Sequence, residues 1–186
     1  MRPAWPGVAA CAIYGVHAGY HVWRGTPEEA LWGCTMATLA VGVGWLAGSP
    51  TLHAVGVLWL TLGLPFWLLD LVMGGEFIPT SVLTHLGGLA IGLAGLARLG
   101  MPRHAWWRAV AAFAVLQAIC RWTTPPSTNV NVAHSIWKGW EGVFPSYPVY
   151  WAVMLAVYGV VFFAAETAYR CAMTRVTSLA AGRLQE

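Results

Sequence analysis

The stretch LHAVGVLWLTLGLPFWLLDLVM, Leu52 to Met73, holds one histidine and one aspartate in 22 residues and is stopped by Gly74-Gly75-Glu76. Roughly 20 apolar residues cross a bilayer as a helix, so this stretch reads as a transmembrane segment. Five more apolar stretches read the same way: about 7–23, 30–47, 80–99, 104–122 and 148–170. Turn formers and charges separate them, as in Arg24-Gly25-Thr26-Pro27-Glu28-Glu29 and Gly100-Met101-Pro102-Arg103. The first stretch, with Tyr14, His17, Tyr20 and His21, is too long and too polar for a signal peptide. The expected fold is all-α, a single polytopic domain of six transmembrane helices, with residues 171–186 as a cytoplasmic tail.

Composition supports this. The chain has 186 residues, 58% hydrophobic and 9% charged, with a mean hydropathy of +0.61. Soluble domains carry charge on about a quarter of their residues, and disordered chains have few apolar ones. The net charge of +3, without a like-charge run, excludes a nucleic-acid partner. Cys11, Cys34, Cys120 and Cys171 form no CxxC pair and read as small buried hydrophobes.

Loop charges set the expected orientation. In a six-span arrangement the side with both termini carries Arg2, Arg98, Arg103, Arg108, Arg170, Arg175 and Arg183. The other side carries Arg24, Arg121 and Lys138, offset by Glu28, Glu29, Glu76 and Glu141. The positive-inside rule then puts both termini in the cytoplasm and the chain in the inner membrane. Gly88 and Gly92 form a GxxxG, which packs helices within the chain or joins two copies in a homodimer.

This orientation places polar residues at one depth on the outer side: His17, His21, Asp70, His85, Gln117 and His134. Ionisable groups inside a membrane face a bundle interior or a wet cavity. Asp70 either orients His85 as a general base, or caps the end of its segment, or pairs with Arg121. His134 joins that set from the long connection 123–146. His85 otherwise bonds a neighbouring helix. His17 and His21, four apart on one face, read as a metal or haem pair or as an amphipathic surface. The cofactor is otherwise undetermined. The long connection, with Asn129, Asn131, Trp137 and Trp140, reads as a lid over the polar site or as a structural plug.

Two stretches resemble a known group. Leu64-Pro65-Phe66-Trp67-Leu68-Leu69-Asp70 is similar to the Leu-Pro-x-His-x-Cys-Asp motif of the bacterial YwaF-like integral membrane proteins. Thr128-Asn129 followed by Phe144-Pro145-Ser146-Tyr147-Pro148-Val149-Tyr150 is similar to their element before the last helix, and Ser81-Val82-Leu83-Thr84-His85 falls where they carry a membrane-embedded histidine. The resemblance covers about residues 60 to 155. It extends to transmembrane acyltransferases and, more distantly, to androgen-induced hydrolases. It implies a six-helix intramembrane enzyme that cleaves or transfers fatty acyl esters with a Thr or Cys nucleophile and a histidine. Here Trp67 replaces the motif histidine and Leu69 the motif cysteine, leaving Thr61, Ser81 and Thr84 as candidate nucleophiles.

The expected activity is that of a hydrolase or acyl transferase acting on membrane lipids at the outer side. His85, Asp70 and His134 would be catalytic, with Gln117, Asn129, Asn131, Trp137 and Trp67 contacting substrate. Two alternatives stand beside it: a non-catalytic accessory subunit of a larger membrane complex, and a metal- or haem-binding protein.

Overall fold

The computed structural model describes residues 3–183, with side chains to Thr174. Arg2, the tail beyond Arg183, and the side chains of Arg175 and Arg183 lie outside the described residues. Among the described residues the regular structure is entirely helical. The helices are α1 (Trp5–Arg24), α2 (Gly33–Leu46), α3 (Pro50–Val72), α4 (Pro79–Leu99), α5 (Ala105–Thr123) and α6 (Tyr147–Arg183). Short 3-10 turns at Pro27–Leu31 and Val130–Val132 sit in two connections, and a π turn at Leu83–Gly87 interrupts α4.

Local chemistry sets these limits. Proline occupies the first or second position of α1, α3 and α4, where a missing N–H has no helical partner to lose. Ser49 caps α3 by accepting from the Leu52 N–H at 3.3 Å. Gly25, at φ 78°, ends α1 in the left-handed region, and Thr26 N–H then reaches back to the His21 carbonyl at 2.9 Å. Two boundaries differ from the sequence reading. Ala30 and Leu31 belong to the 3-10 turn, because Pro27 and two glutamates start a tighter helix there. No break occurs at residue 171; α6 continues unbroken to Arg183.

Successive helices run in alternating directions. One end gathers the connections 24–33, 73–79 and 123–147. Arg24 pairs with Glu76 at 2.7 Å, and Asn131 Nδ2 donates to the Leu31 carbonyl at 2.8 Å. The opposite end gathers residues 3–4, 46–51 and 98–106. There Trp45 Nε1 donates to the Pro3 carbonyl at 3.0 Å, and Arg108 donates to Thr51 at 3.1 Å.

Helix α2 packs against α1, α3 and α4. Small residues permit the close approach. A Cβ at Gly88 would meet Thr38 Oγ1 at 2.5 Å, and one at Gly92 would meet Val57 Cγ2 at 2.8 Å. Gly88 and Gly92 are buried among α2 and α3, so neither is open to a second copy. This is the packing within the chain that the GxxxG spacing allows. His53, fully buried, ties the three helices together, with Nδ1 3.0 Å from the Val41 carbonyl and Nε2 2.9 Å from the Gly92 carbonyl.

Pro50–Val72, Pro79–Leu99 and Tyr147–Thr174 are long and apolar enough to cross a membrane, and Gly33–Leu46 is a shorter apolar helix. Large apolar side chains on α6, including Val160 and Phe163, face outward. An outward apolar surface of this extent suits a lipid surround. The protein is accordingly a helical membrane protein.

Candidate functional site

Three histidines meet at the connection-rich end, where α1 packs against the π turn of α4. His17 and His21 lie one turn apart on α1, both buried, with ring centroids 4.7 Å apart edge to face. His17 Nδ1 is 2.7 Å from Thr80 Oγ1 in the first turn of α4. His21 Nδ1 is 3.2 Å from Thr26 Oγ1 and 3.4 Å from Glu29 Oε2. His85, also buried, lies near enough to His17 for their charges to interact.

The π turn positions His85. It leaves the Thr84 carbonyl open to the Thr38 hydroxyl at 3.0 Å, while His85 Nδ1 lies 2.8 Å from the Ser81 carbonyl. A carbonyl only accepts, so Nδ1 carries the proton and Nε2 presents a lone pair. Trp67 of α3 stacks on the other side of the bundle seam, 4.7 Å from the His85 ring and tilted 9°. Pi turns of this kind recur at functional sites. Each of the three imidazoles is anchored through Nδ1, and none has an Nε2 hydrogen bond among the described residues.

Thr80 was not among the candidate nucleophiles. A threonine after a proline at a helix start reads as a capping residue, and its partner lies 63 positions away. The three residues that were candidates spend their hydroxyls elsewhere. Thr61 donates to the Val57 carbonyl and meets Tyr169 OH at 2.8 Å. Ser81 donates to the Ile78 carbonyl at 2.6 Å, and Thr84 to the Thr80 carbonyl at 3.3 Å. Among the described residues, none of the three has a hydrogen bond to an imidazole.

The other expected site residues lie apart. Asp70 is exposed in the last turn of α3, and among the described residues its carboxylate bonds neither His85, His134 nor Arg121. The expected Asp70–His85 pair is therefore not formed; the Ser81 carbonyl takes the Nδ1 proton instead. His134 Nε2 meets Thr124 Oγ1 at 3.2 Å, on the α5 side of the long connection. Arg121 donates to the Ala133 carbonyl at 2.8 Å and lies over the Tyr147 ring.

The amides expected to contact substrate are occupied by the chain. Asn131, buried at φ 54°, accepts from the Gly33 N–H at 2.7 Å through Oδ1 and donates through Nδ2 to the Leu31 carbonyl and Cys120 Sγ. Gln117 donates to the Asn131 carbonyl at 2.9 Å and accepts from Trp151 Nε1 at 3.0 Å. Asn129 Oδ1 accepts from the His134 and Ser135 N–H groups. Trp137 is partly exposed. Val130 and Val132 are buried beneath them. This part of the connection is a plug latched under the start of α2. Asn131 there supplies the missing partner of a helix N-terminus.

Among the described residues, no three His, Cys, Asp or Glu side chains converge on a metal position. His17 and His21 share a face without completing a ligand set. An apolar groove of about 340 Å³ between α5 and α6, lined by Trp106, Val110, Leu155, Gly159 and Phe163, includes none of the histidines. It has no polar group to do chemistry, so the histidine cluster is the better candidate site. Comparison with protein-family models, with curated proteins and with solved structures finds no match.

Proposed function

We propose that this chain is an intramembrane hydrolase or acyl transferase for a lipid-like ester, with Thr80 as nucleophile and His17 as its base. The single observation behind it is the 2.7 Å separation of Thr80 Oγ1 and His17 Nδ1. A hydroxyl is a weak nucleophile until a base within about 2.6–3.2 Å takes its proton. Thr80 is half-buried and reachable, and His17 behind it is buried. The resemblance to acyl-ester enzymes that pair a threonine with a histidine points the same way.

In this reading Thr80 Oγ attacks the ester carbonyl carbon while its proton passes to His17 Nδ1. The bond to the alcohol then breaks, and the departing oxygen takes that proton. The acyl group remains on Thr80 until water or a second alcohol accepts it, with His17 again moving the proton. Thr80 sits in the first turn of α4, where backbone N–H groups favour the negative charge that develops on the carbonyl oxygen.

The proposed setting is a six-span arrangement in the inner membrane with cytoplasmic termini and the dyad near the outer face. Alternating helix directions support it. So does charge: Arg98, Arg103, Arg108 and Arg170 lie at one end, while Glu28, Glu29, Asp70, Glu76 and Glu141 offset three cations at the other. Ester lipids entering sideways would reach Thr80 between α1 and α4.

An alkyl fluorophosphonate, which captures activated hydroxyls, tests the reading in membranes holding the full chain. The expected result is an adduct on Thr80 that is absent from Thr80→Val and His17→Ala at equal protein levels. An unlabelled wild-type Thr80, together with unchanged acyl-lipid profiles on expression, would overturn it.

A further inference from the structure

Most helical threonines in this chain bond back along their own helix, Thr51 and Thr80 in first turns meet Arg108 and His17 instead, and Thr35 does neither. Thr61, Thr84, Thr123, Thr167 and Thr174 each donate to the carbonyl four residues back, and Thr38 shares its one proton between the Cys34 and Thr84 carbonyls. Such back-bonding is how hydroxyls are satisfied in apolar helices. Thr35 is fully buried, and its Oγ1 has no hydrogen-bond partner among the described residues. The cause is local. Thr35 lies in the first turn of α2, so the carbonyl four residues back is that of Leu31, outside the helix. The extended Trp32 separates the two, and Asn131 Nδ2 already occupies the Leu31 oxygen. The Cys34 thiol lies beside the hydroxyl and is a weak hydrogen-bonding group; it does not reach Oγ1 in the alignment of a full hydrogen bond.

An unpartnered buried hydroxyl is costly, and its position here is informative. Gly42 lies seven residues further along α2, on nearly the same helical face. A Cβ at Gly42 would meet Cys11 Sγ at 2.6 Å, and one at Gly7 would meet Leu46 Cγ at 2.8 Å. That face therefore looks at α1, with the two helices antiparallel. In this register Thr35 is level with Tyr14 to Ala18, the turn of α1 that carries His17. The π turn of α4 with His85 packs against both helices at the same end. So the wedge between α1, α2 and α4 brings one spare hydroxyl to the level of a bare Nε2 lone pair on His85 and the base His17.

We infer that this wedge is a built water site, and that it supplies the water that releases the acyl group from Thr80. The inference rests on the Thr80–His17 reading above and decides its outcome in favour of hydrolysis. A buried water needs two to four polar partners. The Thr35 hydroxyl donates to its oxygen, and one water hydrogen points to His85 Nε2. Once Thr80 is acylated, its Oγ no longer donates to His17 Nδ1, which is then free to accept the second hydrogen. The water oxygen attacks the acyl carbonyl carbon as that proton moves to His17. The carbonyl–Oγ bond breaks, His17 returns the proton to Thr80 Oγ, and a carboxylic acid leaves. Thr35 and His85 are positioning residues in this step.

The test uses the full-length purified protein in detergent micelles with p-nitrophenyl octanoate. The wild type should release a burst of p-nitrophenolate followed by steady turnover. Thr35→Val, which conserves shape, should keep the burst and slow the steady phase about tenfold, the loss of one hydrogen bond to the water. The octanoyl adduct should accumulate on Thr80, and Thr35→Ser should restore turnover. Wild-type turnover by Thr35→Val with no adduct, while the burst persists, would overturn the water site and leave the dyad standing. Absence of both burst and turnover in the wild type would overturn the two together. Thermal unfolding adds an independent readout: Thr35→Val raises Tm if its hydroxyl is dry, and does not if it holds water.

Discussion

Thr80 Oγ1 and His17 Nδ1 stand 2.7 Å apart across the seam between α1 and α4, although 63 positions separate them in the chain. Neither residue contacts the other through local geometry; the antiparallel packing of the first and fourth helices creates the pair. Removing either member should lower kcat for an ester substrate by about 10²–10⁴-fold, the usual contribution of a positioned base. Thr80→Ser should retain activity because the attacking oxygen is kept. Steady-state kinetics on the four proteins checks this. A Thr80→Val variant as active as the wild type would remove the nucleophile assignment.

Gly95 makes room for His53. A Cβ at Gly95 would overlap the imidazole at Nε2 and crowd Trp45, and the ring cannot retreat because both its nitrogens face carbonyls. Gly→Ala in a helix interior ordinarily stabilises by up to about 1 kcal/mol. Here the sign should reverse: Gly95→Ala should destabilise by about 1–3 kcal/mol, the range for overpacking. Gly19→Ala, with nothing within 4 Å of the added methyl, should stabilise. In a His53→Ala background Gly95→Ala should lose most of its penalty. Thermal unfolding of the purified proteins reads all four, and additive effects would refute the steric coupling.

Asn131 holds the long connection in place. Asn131→Ala leaves the Gly33 N–H and the Leu31 carbonyl without their partners in a buried site. It also places alanine at φ 54°, a region that disfavours a Cβ-bearing residue without local side-chain bonds. The expected destabilisation is about 2–4 kcal/mol. Asn129 is also left-handed, at φ 44°, but it bonds one half-buried and one exposed N–H group, so Asn129→Ala should cost about 1–2 kcal/mol. Proteolysis within residues 133–146 should accelerate in the Asn131 variant and much less in the Asn129 variant.

Some of this was readable in the chain. The i, i+4 spacing of His17 and His21 fixes a shared face on any helix, and the same holds for the apolar run of α3. Depth along a helix also follows from counting residues, which is how His85 came to the level of His17. Adjacency does not follow from counting. Asp70 and His85 are at similar depth, yet the side chain stacked on His85 is Trp67, three residues earlier on α3. The role of Asn131 depends on a tertiary contact across 98 positions, and polar loop residues look alike whether they await a ligand or cap a distant helix. Thr35 is equally unreadable: its missing partner follows from where α2 begins, and the 3-10 turn before it moved that start by three residues.

Glu166 provides a case where two roles can be separated. The sequence alone suggests an i, i+4 ion pair with Arg170, and the two charged groups do approach to 4.0 Å. The carboxylate is buried, however, and its two oxygens accept from the His104 and Trp106 N–H groups at 2.9 Å each, at the start of α5. Glu166 from α6 thus caps the N-terminus of α5, where the left-handed His104 at φ 64° offers no side-chain cap of its own. Exposed ion pairs contribute about 0–1 kcal/mol, whereas leaving a buried donor unpaired costs about 1–3 kcal/mol. Glutamine has one acceptor oxygen for two donors, so Glu166→Gln should lose roughly 1–3 kcal/mol. Arg170→Ala should lose about 1 kcal/mol or less. Equal losses in the two variants would return the stabilisation to the ion pair. The expected ordering, with Glu166→Ala lowest in Tm, Glu166→Gln next and Arg170→Ala near the wild type, would make the cap the contact that joins α5 to α6.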